Sequence, residues 1–247
     1  VVESVAHAKE DFFFRVAMID ARFIAGSREL FNDLLARYKK RFVDGQREEF
    51  VKNMLEFRAE RREKYGSHSY LLEPNIKEGR GGMRDVQAMM WTARVVFGLT
   101  GLEGLSGSGL LTEAEKQGFE ESWNMLVKLR NRLHYISRRK NDQLYFEQQE
   151  EMAEAFGYRT DEGVLGVEQF LRDVYRHMHN IAWVTDLFFD HVEEVLGGGS
   201  AASPSHPDKK IEKGLEVRSN RLHLVALKKD IEAKPHLLMR VFLAAAR

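Results

Sequence analysis

Apolar residues along this chain recur mostly at three- and four-residue intervals, and only four prolines interrupt its 247 residues. That is the repeat of helices with one buried face, and it predicts a mainly α fold. Residues 3 to 17 read as a first helix, and "MIDARFI", residues 18 to 24, as a short buried strand or helix end. Ser27, after Gly26, is placed to cap a helix that carries Leu30, Phe31, Leu34, Leu35 and Tyr38 on one face. A highly charged helix follows over residues 47 to 65, where "EFRAERREK" has the mixed charges of a solvated surface. The next helix runs from Met83 to about Phe97, and "GLTGLEGLSGSG" reads as a glycine-rich connector. Thr112 and Glu115 form a capping box for a helix that reaches about Arg139, and a shorter helix ends at Gly157. The longest helix buries Phe170, Val174, Met178, Ile181, Val184, Leu187, Phe188, Val192 and Val195 as one stripe.

The remainder of the chain changes character. "GGGSAASPSHPDKK" has the composition of a flexible linker, and "LEVRSNRLHL" alternates around Ser219 and Asn220 as a small hairpin would. Pro235 suits the start of a last helix. No start signal precedes the first helix and no stop signal follows the last, so a fragment of something longer is expected. Lysine plus arginine balance aspartate plus glutamate at 38 each, which leaves no global field to select nucleic acid or a membrane surface. The absence of cysteine excludes a disulfide framework, thiol catalysis and cysteine-bound zinc. With no bilayer-length apolar run and no signal-peptide pattern, a cytoplasmic protein is expected.

Candidate chemistry concentrates in "EPNIKEGRGGMRDVQ", residues 73 to 87. Pro74 favours an extended Glu73, and Gly79, Gly81 and Gly82 offer positive φ and close approach to the backbone. The first amides of the following helix would be open to an anion. Asp85 suits that first turn, whereas Arg84 opposes the helix dipole by about 0.3–1 kcal/mol, and Lys77 and Arg80 deepen the conflict. Two readings follow. In one, Lys77, Arg80, Gly81, Gly82, Arg84 and Asp85 hold a nucleotide or a domain interface. In the other, the glycines make a tight turn and Arg84 pairs with Asp85, Glu73 or a carboxylate elsewhere. The run has neither the lysine-hydroxyl pair of a Walker loop nor the third glycine of a dinucleotide fingerprint.

A second cluster lies in "WNMLVKLRNRLHYISRRKND", which has no acidic residue between Glu121 and Asp142. Leu126, Leu129, Leu133 and Ile136 form its apolar face, with Arg130, His134, Ser137 and Arg138 along one border. Arg130 and His134 are therefore candidates to face a ligand, or simply a basic flank in water. His177 and His179 stand two apart on a helix, a poor metal spacing. No adjacent His-Asp pair occurs, and no Gly-Ser is followed by an Asp-x-Asp that could hold two magnesium ions.

The run "LLEPNIKEGRGGMRDVQAMMWTARVVFG" resembles the signature that opens the helical domain of the bifunctional PII uridylyltransferase/uridylyl-removing enzymes. Tyr70, Leu72, Glu73, Pro74, Ile76, Lys77, Gly81, Gly82, Arg84 and Asp85 keep it, with Met83 at the usual leucine. A related glycine-arginine-aspartate run occurs in glutamine synthetase adenylyltransferases. "MIDARFIAGSRELF", "GLLTEAE" and the closing "LHLVALKKDIEAKPHLLMRVFLAAAR" extend the likeness over nearly the whole chain. The resemblance implies that residues 1–65 hold the end of a nucleotidyltransferase domain with connecting helices, and residues 66–196 a helical domain. Residues 197–210 would be a linker, and 211–247 a hairpin and helix leading to the next domain. It further implies transfer of UMP from UTP, with Mg2+, onto a tyrosine of the PII signal protein. The catalytic carboxylates would lie upstream of Val1, and the uridylyl-removing and glutamine-sensing ACT domains beyond Arg247. The fragment alone would then be inactive. The alternatives are a helical module that docks PII or braces its neighbours, and a related protein adenylyltransferase.

Overall fold

The computed structural model describes residues 1–66, 72–161 and 163–197, and after them the backbone of three short strands within 209–224. Val1–Glu193 form one unit and Glu194–Arg247 another. Helices dominate the first, as the periodicity predicts.

The first predicted helix is in fact two. Helix α1, Val2–Glu10, stops at Asp11, whose backbone is extended at φ −116° and ψ 109°. The Asp11 side chain accepts a hydrogen bond from the Phe14 amide at 3.0 Å and so starts α2, Phe12–Ala17, afresh. Residues Met18–Asp20 form a single 3-10 turn directly after α2, the helix end of the two alternatives and not the strand. Within that segment Ile19 is buried but Ile24 is 81% exposed, so "MIDARFI" is not a buried element as a whole. Ser27 caps α3, Arg28–Phe42, by accepting from the Leu30 amide at 3.2 Å. Tyr38 and Phe42 are its buried side chains, while Leu30 faces outward.

Helix α4, Arg47–Tyr65, packs against α5, Met83–Phe97. The glycine-rich connector is partly ordered as a short helix, α6, Gly101–Gly107. The Thr112 capping box is present with both reciprocal bonds, and α7 continues unbroken over Glu113–Ser137. Helix α8, Phe146–Ala155, and the long α9, Gly166–Gly197, complete the helical set among the described residues. Phe170, Val174, Met178, Ile181, Val184, Phe188 and Val192 of α9 are buried, but Leu187 and Val195 lie off the stripe and are about half exposed. The edge-to-face contact of Phe188 with Phe97 ties α9 to α5. The Trp91 indole N–H donates to Asp20 at 2.7 Å, and Arg94 donates to the Ile19 carbonyl at 2.7 Å, tying α5 to the 3-10 turn.

In the second unit, strands β1 (Lys209–Glu212), β2 (Leu215–Arg218) and β3 (Arg221–Leu224) form an antiparallel sheet in that order. Arg218 pairs with Arg221 across the expected turn, which agrees with the hairpin. The predicted linker lies largely outside the described residues, and the helix expected from Pro235 lies wholly outside them.

Candidate functional site

The glycine loop is closed by its own backbone. Asn75 starts it with an Asx turn: its side-chain oxygen accepts from the Lys77 and Glu78 amides at 3.1 and 2.7 Å. The amides of Met83, Arg84 and Asp85, which the sequence left open to an anion, donate instead to the carbonyls of Ile76, Lys77 and Gly82 at 3.1, 2.9 and 3.0 Å. The Gly81 amide donates to Asp85 Oδ2 at 2.8 Å. The loop thus folds back over the first turn of α5 and takes the donors that an anion would have used.

The geometry of the glycines fits the tight-turn reading and not the approach of a ligand. Of the three, only Gly81 has positive φ, at 75°. A Cβ there would stand 1.9 Å from the Met178 carbonyl oxygen, so the element that approaches the backbone is α9, not a ligand. At Gly79 and Gly82 a Cβ would come within 2.6 Å of the carbonyls of Asn75 and Lys77. These carbonyls belong to the loop itself, and the glycines let it close.

Every sequence-nominated cation has a carboxylate partner. Arg84 is 8% exposed; it bonds Glu78 at 3.2 Å and Gln87 at 2.7 Å, with its guanidinium over the rings of Phe13 and Trp91. Asp85, 1% exposed, pairs with Arg61 of α4 at 3.1 Å rather than with its neighbour Arg84. Lys77 reaches Glu78 at 3.2 Å and Asp142 at 3.8 Å. Arg130 donates to Asp142 at 2.7 Å, and His134 meets the same oxygen at 3.1 Å. Arg80 bonds Asp186 of α9 at 3.0 Å. Burial pushes the carboxyl groups of Glu78, Asp142 and Asp186 up, but these donors outweigh it and hold all three below the ordinary carboxylate range.

Two constellations that look separate in sequence are therefore one. The Asn75 segment bridges to Gln143, with the Ile76 amide donating to the Asp142 carbonyl at 2.9 Å and the Leu144 amide to that of Pro74 at 3.0 Å. Asp142, just after α7, becomes the joint of Lys77, Arg130 and His134.

The sequence missed the other half of this network. The segment "EFRAERREK" is not a solvated face throughout: Arg58 and Arg61 are 5% and 7% exposed. They continue the buried stripe of Phe50, Val51 and Met54 at helical spacing, which was a legible signal. Arg58 lies 3.8 Å over the Phe189 ring and bonds Asp186 at 2.8 Å. Arg62 bonds the same Asp186 oxygen, so with Arg80 three guanidinium groups close on one carboxylate. Burial, with the charge of Arg62, lowers the Arg58 pKa against the opposing pull of Asp85 and Asp186.

No three His, Asp or Glu side chains among the described residues cluster as a group that could hold a metal ion. The described residues therefore offer magnesium no fitting ligand set. No described helix is long and apolar enough to cross a membrane.

The family described as GlnD PII-uridylyltransferase matches residues 49–189, a span that holds nearly all of α4, the loop, the Asp142 joint and Asp186. A bifunctional uridylyltransferase/uridylyl-removing enzyme of Cereibacter sphaeroides is 36% identical over 185 residues, covering 75% of this chain and 20% of its own length. Enzymes of the same name from Ruegeria pomeroyi and Nitrobacter hamburgensis are 31% and 30% identical over the whole chain, covering 27% and 28% of their own lengths. The chain thus spans between a fifth and three tenths of the curated relatives it matches. By its matched core and by these relatives, the chain belongs to the PII-uridylyltransferase family.

Proposed function

We propose that this chain is the helical part of a cytoplasmic enzyme that transfers UMP from UTP to a tyrosine of the PII signal protein in nitrogen regulation. The observation that carries this is the loop between Pro74 and Asp85, which bears the family signature and is built as a rigid joint of α4, α5, α9 and the Asp142 segment. Metal binding and phosphoryl chemistry belong to carboxylates outside this chain, and glutamine control to domains outside it. The chain alone is inactive on this view.

One feature favours bracing over direct contact with the triphosphate. Arg84, Lys77, Arg130 and His134 already meet Glu78 or Asp142, so their charge acts first within the domain. The helical part then holds the transferase site in position, and its candidate residues act as positioning groups.

The test uses the full-length protein that contains this chain. It is incubated with PII and magnesium, and with radiolabelled UTP or ATP. Label on PII from UTP is the expected result. Label from ATP alone would reassign the protein to adenylyl transfer, and no label from either would leave the helical unit an interaction module.

A further inference from the structure

We propose that Arg58, Arg62 and Arg80, now closed on Asp186, form a binding site for a phosphoryl group. The three guanidinium groups come from α4 and the glycine loop, and Asp186 comes from α9. Asp186 Oδ1 accepts from Arg58 at 2.8 Å and from Arg62, and its Oδ2 accepts from Arg80 at 3.0 Å.

The donors outnumber what this carboxylate can take. Each guanidinium carries five N–H groups in a planar fork, and a carboxylate offers about four lone-pair sites in one plane. The Nε atoms of Arg58, Arg62 and Arg80 are shielded from water and have no hydrogen-bond partner. Arg58 is 5% exposed and lies 3.8 Å over the Phe189 ring, which holds it in place. A phosphoryl group fits this surplus better than a second carboxylate does. Its terminal oxygens are spread on a tetrahedron and can accept forks from more than one element, here α4 and the loop. Access does not require opening the core, because the Arg62 and Arg80 side chains are 32% and 33% exposed and Asp186 is 29% exposed. Asp186 is the internal occupant, and a phosphoryl group displaces it by turning its side chain outward.

The natural donor's identity as a nucleoside triphosphate rests on the function proposed above. The site itself does not, and it is tested without transfer. The 247-residue chain is titrated with inorganic pyrophosphate by calorimetry, at an ionic strength matched with sodium chloride. Saturable binding is expected. Arg80→Gln and Arg62→Gln, both at the exposed lip, should each weaken it by about tenfold, the loss of one charge-assisted contact. Asp186→Asn should tighten it, because the competing carboxylate is gone. UTP that displaces pyrophosphate would mark a nucleotide as the source, and pyrophosphate that UTP cannot displace would mark free diphosphate; either supports the site. Absence of saturable binding in the unmodified chain and in both arginine variants would overturn it, as would unchanged affinity in Arg80→Gln. Binding of an oligoglutamate peptide with pyrophosphate inert would also overturn it, in favour of an acidic protein segment. Failure here leaves UMP transfer by the full-length protein untouched, so the two proposals fall separately.

Discussion

Replacing Gly81 by alanine should be among the most damaging single-methyl changes in this domain. Two costs add. At φ 75° an L side chain is strained, by about 1–2 kcal/mol for a left-handed residue. The new Cβ would also sit 1.9 Å from the Met178 carbonyl oxygen and 2.6 Å from its carbonyl carbon, both backbone atoms of α9 that have no rotamer with which to yield. Forcing such a contact costs about 1–3 kcal/mol as overpacking does elsewhere. Together these give about 2–5 kcal/mol, or a fall in Tm of about 5–20 °C for a domain of this size. Gly98 supplies the control. It ends α5 at φ 72°, and a Cβ there would meet nothing within 4 Å, so Gly98→Ala carries the strain without the clash. Urea denaturation followed by far-ultraviolet circular dichroism measures both variants against the parent. Gly81→Ala should be the less stable by about 1–3 kcal/mol, the clash alone. Equal losses at the two positions would refute the claim that α9 packs directly on the glycine loop.

The other predictions concern the buried charges. Asp85→Ala should cost about 3 kcal/mol or more, since it leaves Arg61 short of a partner at 7% exposure and the Gly81 amide without an acceptor. A double-mutant cycle with Arg61→Ala checks it, and a coupling below about 0.5 kcal/mol would show that the pair contributes little. Acid should destabilise the domain in a defined window. Glu78, Asp142 and Asp186 have folded pKa values below their ordinary 4.5, 3.8 and 3.8, so the unfolded chain takes up protons first. Their stabilisation is complete above those ordinary values and is lost as pH falls through the folded ones; urea midpoints measured across that range should drop, and Asp142→Asn should flatten part of the slope. His177, lowered by burial and by Arg176, adds a separate loss that begins as pH falls through 6.5.

The helices were legible because their signals are local. Ser27 and Thr112 cap where their side chains predict, and the stripe of α9 shows in a three-four repeat that needs no knowledge of neighbours. Asp11 was misread because its neighbours are apolar and aromatic, and a capping aspartate looks like any polar residue within a helix. The loop was half legible. Its concentration of cations and glycine was visible, but the partners lie far along the chain: Asp142 is 65 residues from Lys77 and Asp186 is 106 residues from Arg80. Charge patterning reads neighbours at three and four residues, so it assigned Arg58 and Arg61 to solvent. Their place in line with Phe50 and Met54 outranks their residue type in deciding burial.

The arrangement of these pairs bears on why a conspicuous loop should hold so much charge. Arg61 and Asp85 join α4 to α5, and Lys77, Arg130 and His134 join the loop and α7 to the segment after it. A hydrophobic contact tolerates a slide of an ångström with small loss, whereas a buried ion pair does not, because each partner left alone is a charge out of water. Apolar packing alone would give α4 and α5 a stable but adjustable seam. The ion pairs fix its register, and Gly81, pressed against Met178, removes the remaining slack. Changes that loosen this register should therefore disturb the seam before they unfold the chain.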